Sequence, residues 1–185
     1  MSKFLFIMKK KSIALIGFMA TGKTTVGNAL ADYLGNGYKF IETDQMIVKM
    51  VSRSIQRIFS EDGEDKFREY EIEACKKAAN FKKAVISCGG GIVLNKVNIE
   101  NLKKKCHIVL LKASPKEIYN RVMKDGKETR PVIDKEDPMK EIERVLKQRE
   151  PYYDISAEIV INTTDKTIDE ITSEIIEKTN ILENR

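Results

Sequence analysis

Five short apolar runs punctuate the chain, at Ser12–Ile16, Lys39–Glu42, Ala84–Cys88, His107–Leu111 and Glu158–Ile161. Each has the length and β-branched or apolar content of a strand, and the segments between them carry helical periodicity or capping signals. That alternation predicts a parallel sheet covered by helices. Three helix starts can be read from cap chemistry. Ser114-Pro115-Lys116-Glu117 has the form of a capping box with proline at the first helical position, Asp137-Pro138 repeats the cap-then-proline order, and Thr167 with Glu170 forms another box. After Thr167, Ile168, Ile171, Ile175 and Ile176 fall on one face, which predicts a last helix packed on the sheet with these isoleucines in the core. Further constraints come from proline and glycine. In Arg149-Glu150-Pro151-Tyr152-Tyr153 the proline predicts a helix stop, and Lys124–Asp134, broken by Gly126 and Pro131 and carrying charges of both signs, reads as a mobile loop.

Length and composition narrow the class. With 185 residues, 42% hydrophobic and 33% charged, one compact domain spanning residues 1–185 is expected. The three cysteines, Cys75, Cys88 and Cys106, lie far apart with no Cys-x-x-Cys or Cys/His cluster, so neither a disulfide framework nor a zinc site is indicated. The run Phe4–Met8 is too short for a signal-peptide core, no stretch is long enough for a membrane span, and cytoplasmic localisation is expected. A net charge of +5 is compatible with nucleic acid, but the lysines are scattered without interleaved aromatics, so anionic small molecules account for it better. Lys9–Lys11 and Lys103–Lys105 are solvated segments at element ends on this reading. The expectation is a monomer acting on small molecules, with no nucleic-acid or membrane partner.

The octapeptide Gly17-Phe18-Met19-Ala20-Thr21-Gly22-Lys23-Thr24 follows the first apolar run and opens a helical segment from Thr25 to Leu34. Strand, glycine-containing turn and helix in that order form a P-loop: backbone N–H groups and the helix N-terminus face a polyphosphate, the lysine reaches the outer phosphates, and the threonine hydroxyl coordinates magnesium. ATP is therefore assigned to Gly17, Ala20, Thr21, Gly22, Lys23, Thr24 and Thr25, and Mg2+ to Thr24. The motif specifies the nucleotide and leaves the acceptor open.

Ligands of open α/β sheets sit beyond the carboxyl ends of the strands, so the residues following each strand are the candidates for the acceptor. Glu42-Thr43-Asp44 ends the second strand. A carboxylate there can hold a metal-bound water or orient an acceptor hydroxyl; Asp44 is the candidate for the second role, with a helix N-cap as the alternative. Gly89-Gly90-Gly91 either offers N–H groups to a ligand or makes a plain turn. In a helix beginning after Gly63, with Phe67, Tyr70, Ala74 and Ala78 on its buried face, Arg68 is spaced to pair with Glu64 and Glu71 at the surface. Arg68 and Arg149 together would also suit an acidic acceptor, because a guanidinium grips a carboxylate with two prongs.

In order and spacing these pieces resemble shikimate kinase. They are the P-loop, x-x-Asp after strand two, Phe-x-x-x-Gly-Glu-x-x-Phe-Arg-x-x-Glu, a Gly-Gly-Gly turn, Arg-Pro in a lid and Arg-x-Pro-x-Tyr, and they span the chain from Ser12 to the last helix. The resemblance implies a three-layer α/β/α fold with a five-stranded parallel sheet, like the nucleoside monophosphate kinases, a substrate-binding region near residues 44–80 and a mobile lid near 124–136. It implies that Asp44, Arg68, Gly89, Gly90, Gly91 and Arg149 bind shikimate. It also implies that Arg130 reaches the transferring phosphate from the lid and that Arg121 lies near the adenine. Members of that family usually carry an aspartate where this chain has Glu42, as the first residue of an Asp-x-Asp pair, the one that contacts magnesium through water. The implied reaction is ATP-dependent phosphorylation of the shikimate 3-hydroxyl, with Lys23, Asp44 and Arg130 as the catalytic set. The rival readings are a kinase for another small hydroxylated acid, a nucleoside monophosphate kinase, and a catalytically silent nucleotide-binding homologue.

Overall fold

Strand β1 (Ser12–Ile16) is buried along its whole length and occupies the middle of a five-stranded sheet of order β2-β3-β1-β4-β5. The structure, a computed structural model, describes residues 10–125 and 137–182. β1 pairs in parallel with β3 (Ala84–Ser87) on one side and β4 (Cys106–Lys112) on the other; β2 (Lys39–Glu42) and β5 (Ile159–Asn162) form the edges, also parallel. All five strands lie within two residues of the apolar runs, as expected where both faces of a parallel sheet are covered and strands read as continuous apolar runs.

Alternate β1 residues enter opposite layers. Ile13 and Leu15 join Val26, Leu30 and Leu34 of α1 (Lys23–Leu34) and Ile171 and Ile175 of α8 (Ile168–Thr179). Ala14 and Ile16 face the other side. There they meet Cys75 and Ala78 of α4 (Gly63–Ala78), Ile99 and Leu102 of α5 (Lys96–Lys103), Ile118 and Val122 of α6 (Pro115–Asp125), and Ile142, Val145 and Tyr153 of α7 (Pro138–Ser156). The result is the expected three-layer α/β/α arrangement. A satellite cluster of Ile47, Ile58, Phe67 and Ala74 joins α2 (Thr43–Val51) and α3 (Ile55–Glu61) to α4. Among the described residues no helix is long and apolar enough to cross a membrane.

Four details depart from the expectations. Helix α7 runs through Pro151 to Ser156 instead of stopping there. The missing proline N–H costs one helical bond, and burial of Tyr153 beyond it, at 3% exposure, offsets the loss. The Ser114 box is half made. Ser114 Oγ accepts from the Glu117 N–H at 3.2 Å, but Glu117 turns its carboxylate to Arg121 at 2.8 Å, and the Ser114 N–H goes to Thr164 Oγ1. Of the loop expected at Lys124–Asp134, Lys124 and Asp125 instead finish α6. The rest of that expected segment, Arg130 included, lies outside the described residues. Finally, Ile168 is 42% exposed and not in the core: it follows the Thr167 cap directly, before α8 meets the sheet.

Candidate active site

Gly17 leaves β1 with φ +140°, and a Cβ there would lie 2.3 Å from the Leu111 carbonyl oxygen, so the turn that follows admits only glycine at this point. The loop is held from within. Thr21, 1% exposed, donates its hydroxyl to the Phe18 carbonyl at 2.8 Å, while Lys23 donates its ammonium to the carbonyls of Gly17 and Phe18 at 2.9 and 2.7 Å. The Thr21 side chain thus braces the loop, and only its main chain is free to meet a phosphate. Ala20 sits in the left-handed region, φ +57°, with its carbonyl accepting from Arg121 Nη1. Gly22, Thr24 and Thr25 line the adjoining cavity of about 560 Å³.

At the end of β2, Glu42 Oε1 accepts the Thr24 hydroxyl at 2.5 Å. With its proton engaged, the threonine oxygen turns its lone pairs outward, and two hard oxygen donors side by side fit magnesium, which keeps several waters and takes phosphate oxygens in preference to an all-protein cage. Among the described residues no group of three or more His, Cys, Asp or Glu is arranged to hold a metal.

Asp44 is inside the first turn of α2, and the residue in the N-cap position is Glu42, which makes no side-chain cap bond. The helix-cap alternative for Asp44 therefore falls away. Its Oδ1 is buried without a hydrogen-bond partner. A Cβ on Gly89 would lie 2.5 Å from that oxygen, so glycine is what lets the carboxylate approach the turn. Burial pushes the Asp44 carboxyl above the usual carboxylate range, against Lys23, with Glu42 adding to the rise and Arg68 opposing it.

Arg68 is more than a surface pair. It bonds exposed Glu64 at 2.9 Å and, through Nη1, both oxygens of Glu71 at 3.0 and 3.1 Å; Glu71 is 1% exposed. Burial raises the Glu71 carboxyl, Arg68 pulls it down, Asp44 raises it and Arg149 lowers it, so four charged groups sense one another here. The glycine turn is their meeting point: a Cβ on Gly91 would lie 2.5 Å from Arg68 Nη1, and the Gly90 carbonyl accepts from Arg149 Nη1 at 3.3 Å and from the Tyr153 hydroxyl at 2.6 Å. At the far end of the cavity, Arg121 is fixed by Glu117, Ala20 and both oxygens of Thr163.

The structure thus gathers all the expected site residues except Arg130, which lies outside the described residues. It adds Glu71 to the acceptor side and Lys124, Lys166, Ile168 and Ile171 to the Arg121 end of the cavity. The sequence offers Glu71 as a surface partner of Arg68 and as the glutamate of the Phe-Arg-x-x-Glu string, not as a buried carboxylate, and it offers Ile168 and Ile171 as core. Lys166 carried no signal beyond standing next to a helix cap.

Comparisons with known proteins agree with this geometry. The profile of the family described as Shikimate kinase matches residues 19–180. A shikimate kinase from Caldanaerobacter subterraneus subsp. tengcongensis is 45% identical over 166 residues, covering 90% of this chain and 94% of its own. Among solved structures, shikimate kinase from Acinetobacter baumannii in complex with shikimate has a TM-score of 0.85 at 31% identity and covers 95% of each chain. A gluconokinase from Sinorhizobium meliloti, at 19% identity and a TM-score of 0.62, shares the fold.

Proposed function

The chain belongs to the shikimate kinase family, and we propose that it transfers the γ-phosphoryl group of ATP to the 3-hydroxyl of shikimate, forming shikimate 3-phosphate and ADP. The observation that carries the residue assignment is Asp44: a half-buried carboxylate with one sealed, unpartnered oxygen, lining the same cavity as Lys23 of the P-loop. Asp44 takes the hydrogen bond of the acceptor hydroxyl and receives its proton as the oxygen attacks the γ-phosphorus. Arg68 and Arg149, aimed at the glycine turn from α4 and α7, grip the acceptor carboxylate, and the N–H groups of Gly89, Gly90 and Gly91 border the ring.

Lys23 leaves the loop carbonyls for the outer phosphates, where Gly17, Ala20, Thr21, Gly22, Thr24 and Thr25 contribute main-chain and hydroxyl contacts. Arg121, immobilised by four partners, flanks the base together with Ile168. Arg130, outside the described residues, would neutralise charge on the transferring group. Thr24, oriented by Glu42, would hold magnesium; that ion supplies screening of the phosphate oxygens. One chain furnishes every group in this scheme, which supports a monomer, and three buried free cysteines suit the cytoplasm.

The test is ADP release with ATP and magnesium in the presence of shikimate, of gluconate, of a nucleoside monophosphate, or of no acceptor. Turnover that depends on shikimate is expected. Equal rates with and without it, or preference for another acceptor, would overturn the assignment.

A further inference from the structure

The glycine turn is tied to the site by a residue that touches neither substrate in the scheme above. Thr43 is 0% exposed, and its Oγ1 accepts the Gly89 N–H at 2.9 Å. The bond continues the sheet by other means. Glu42 pairs with Ser87 in the β2–β3 ladder, the Cys88 N–H turns toward β1 and bonds the Leu15 carbonyl at 3.0 Å, and the Gly89 N–H turns back toward β2. By then β2 has become α2, so the side chain of Thr43 supplies the acceptor that the strand backbone no longer offers.

The next residue is Asp44, whose carboxylate lies against the Cα of the same glycine. Two consecutive residues of one helical turn therefore grip Gly89, one by its N–H and one by its face. Gly90, one residue further, is gripped from the opposite side by Arg149 and Tyr153.

We infer that Thr43 is a positioning residue for the acceptor: its hydroxyl locks the glycine turn to the first turn of α2 and so sets Asp44 at its depth in the acceptor pocket. The inference rests on the proposed acceptor role of Asp44. Removing the hydroxyl leaves the Gly89 N–H buried with no partner, and the turn and Asp44 are then free to separate. A valine keeps the shape and removes the acceptor, whereas a serine keeps the acceptor and removes only a methyl group.

The experiment compares Thr43→Val and Thr43→Ser with the wild type in two readouts: kcat/KM for shikimate against KM for ATP, and hydrogen exchange of the Gly89 amide. Thr43→Val should lower kcat/KM for shikimate by about tenfold or more with KM for ATP within about twofold, while Thr43→Ser stays within about threefold of wild type. In the valine variant the Gly89 amide should also exchange faster, and in the serine variant it should stay protected. Wild-type acceptor kinetics in the valine variant, or loss of ATP and shikimate binding in equal measure, would overturn the inference, as would a serine variant as impaired as the valine. If shikimate is not the acceptor, the wild type itself shows no shikimate turnover. The Gly89 exchange then decides the positioning role alone, and an unchanged exchange rate in Thr43→Val overturns it.

Discussion

Asp44 is held where charge is disfavoured, and this shapes both its chemistry and its cost. Burial is the largest influence and raises its pKa; Lys23 opposes, Glu42 adds and Arg68 opposes. The folded protein therefore keeps this proton to higher pH than the unfolded chain does, so the stability contributed by the group falls as pH rises from the ordinary value of 3.8 through the raised one, and is a net cost at neutral pH. For activity the sign is the reverse, since the base must be ionised: kcat/KM for shikimate should fall as pH drops through that same raised pKa, above where an exposed aspartate titrates. Asp44→Asn is expected to cut transfer by about 100-fold or more, to leave ATP affinity within a few-fold, and to keep or raise the melting temperature at pH 7. Pre-steady-state phosphoryl transfer and thermal melts measure both, and near-normal turnover would remove Asp44 from its assigned role. At this scale the sequence supplied the partners of Arg68 but not their burial. Glu64 four residues before Arg68 and Glu71 three after it both fall on its face of the helix, and only packing makes one of them an exposed neighbour and the other a buried one.

Helix ends show how far local chemistry reaches. Both halves of the Thr167–Glu170 box form: the Thr167 hydroxyl accepts from the Glu170 N–H at 3.2 Å and Glu170 accepts from the Thr167 N–H at 2.7 Å. Thr167→Ala should therefore cost about 1 kcal/mol, read as a lower urea midpoint with an unchanged slope. No shift in midpoint would show that α8 is held by Ile171 and Ile175 alone. The equivalent sequence at Ser114 is answered differently, because Arg121 from the same helix and Thr164 from the loop after β5 take the two groups the box would have joined. Likewise Pro151 is a stop signal in an isolated helix, and here the anchoring of Arg149 and Tyr153 on Gly90 carries α7 past it. A cap or a proline states a preference worth about 1–3 kcal/mol, and a packed neighbour is enough to redirect it.

Across the molecule, residues from α1, α2, α4, α6 and α7 converge beyond the carboxyl ends of β1, β2 and β3, the place where open parallel sheets receive ligands. A nucleotide bound there couples to the stability of the whole domain. ATP with magnesium at about 100 times its dissociation constant should add about 2.7 kcal/mol, a rise of roughly 5–11 °C in melting temperature for a chain of this size. An unchanged melt would dissociate the cavity from the nucleotide. The sequence by itself determined the five strands, the parallel α/β class, the P-loop and the set of charged residues gathered about the Gly89–Gly91 turn. These are written in local periods, in glycine and proline geometry and in fixed spacings, which do not depend on what lies across the fold. Only the tertiary structure decided that Ile168 faces the cavity, that Glu71 is buried beside Arg68, that Arg121 is clamped by Thr163, and that Thr43 completes the sheet beneath Gly89. Each of these depends on which elements meet. Burial and the long-range pairings are set by contacts between distant segments, 46 residues apart for Thr43 with Gly89 and 101 for Arg121 with Ala20, and no local pattern encodes them.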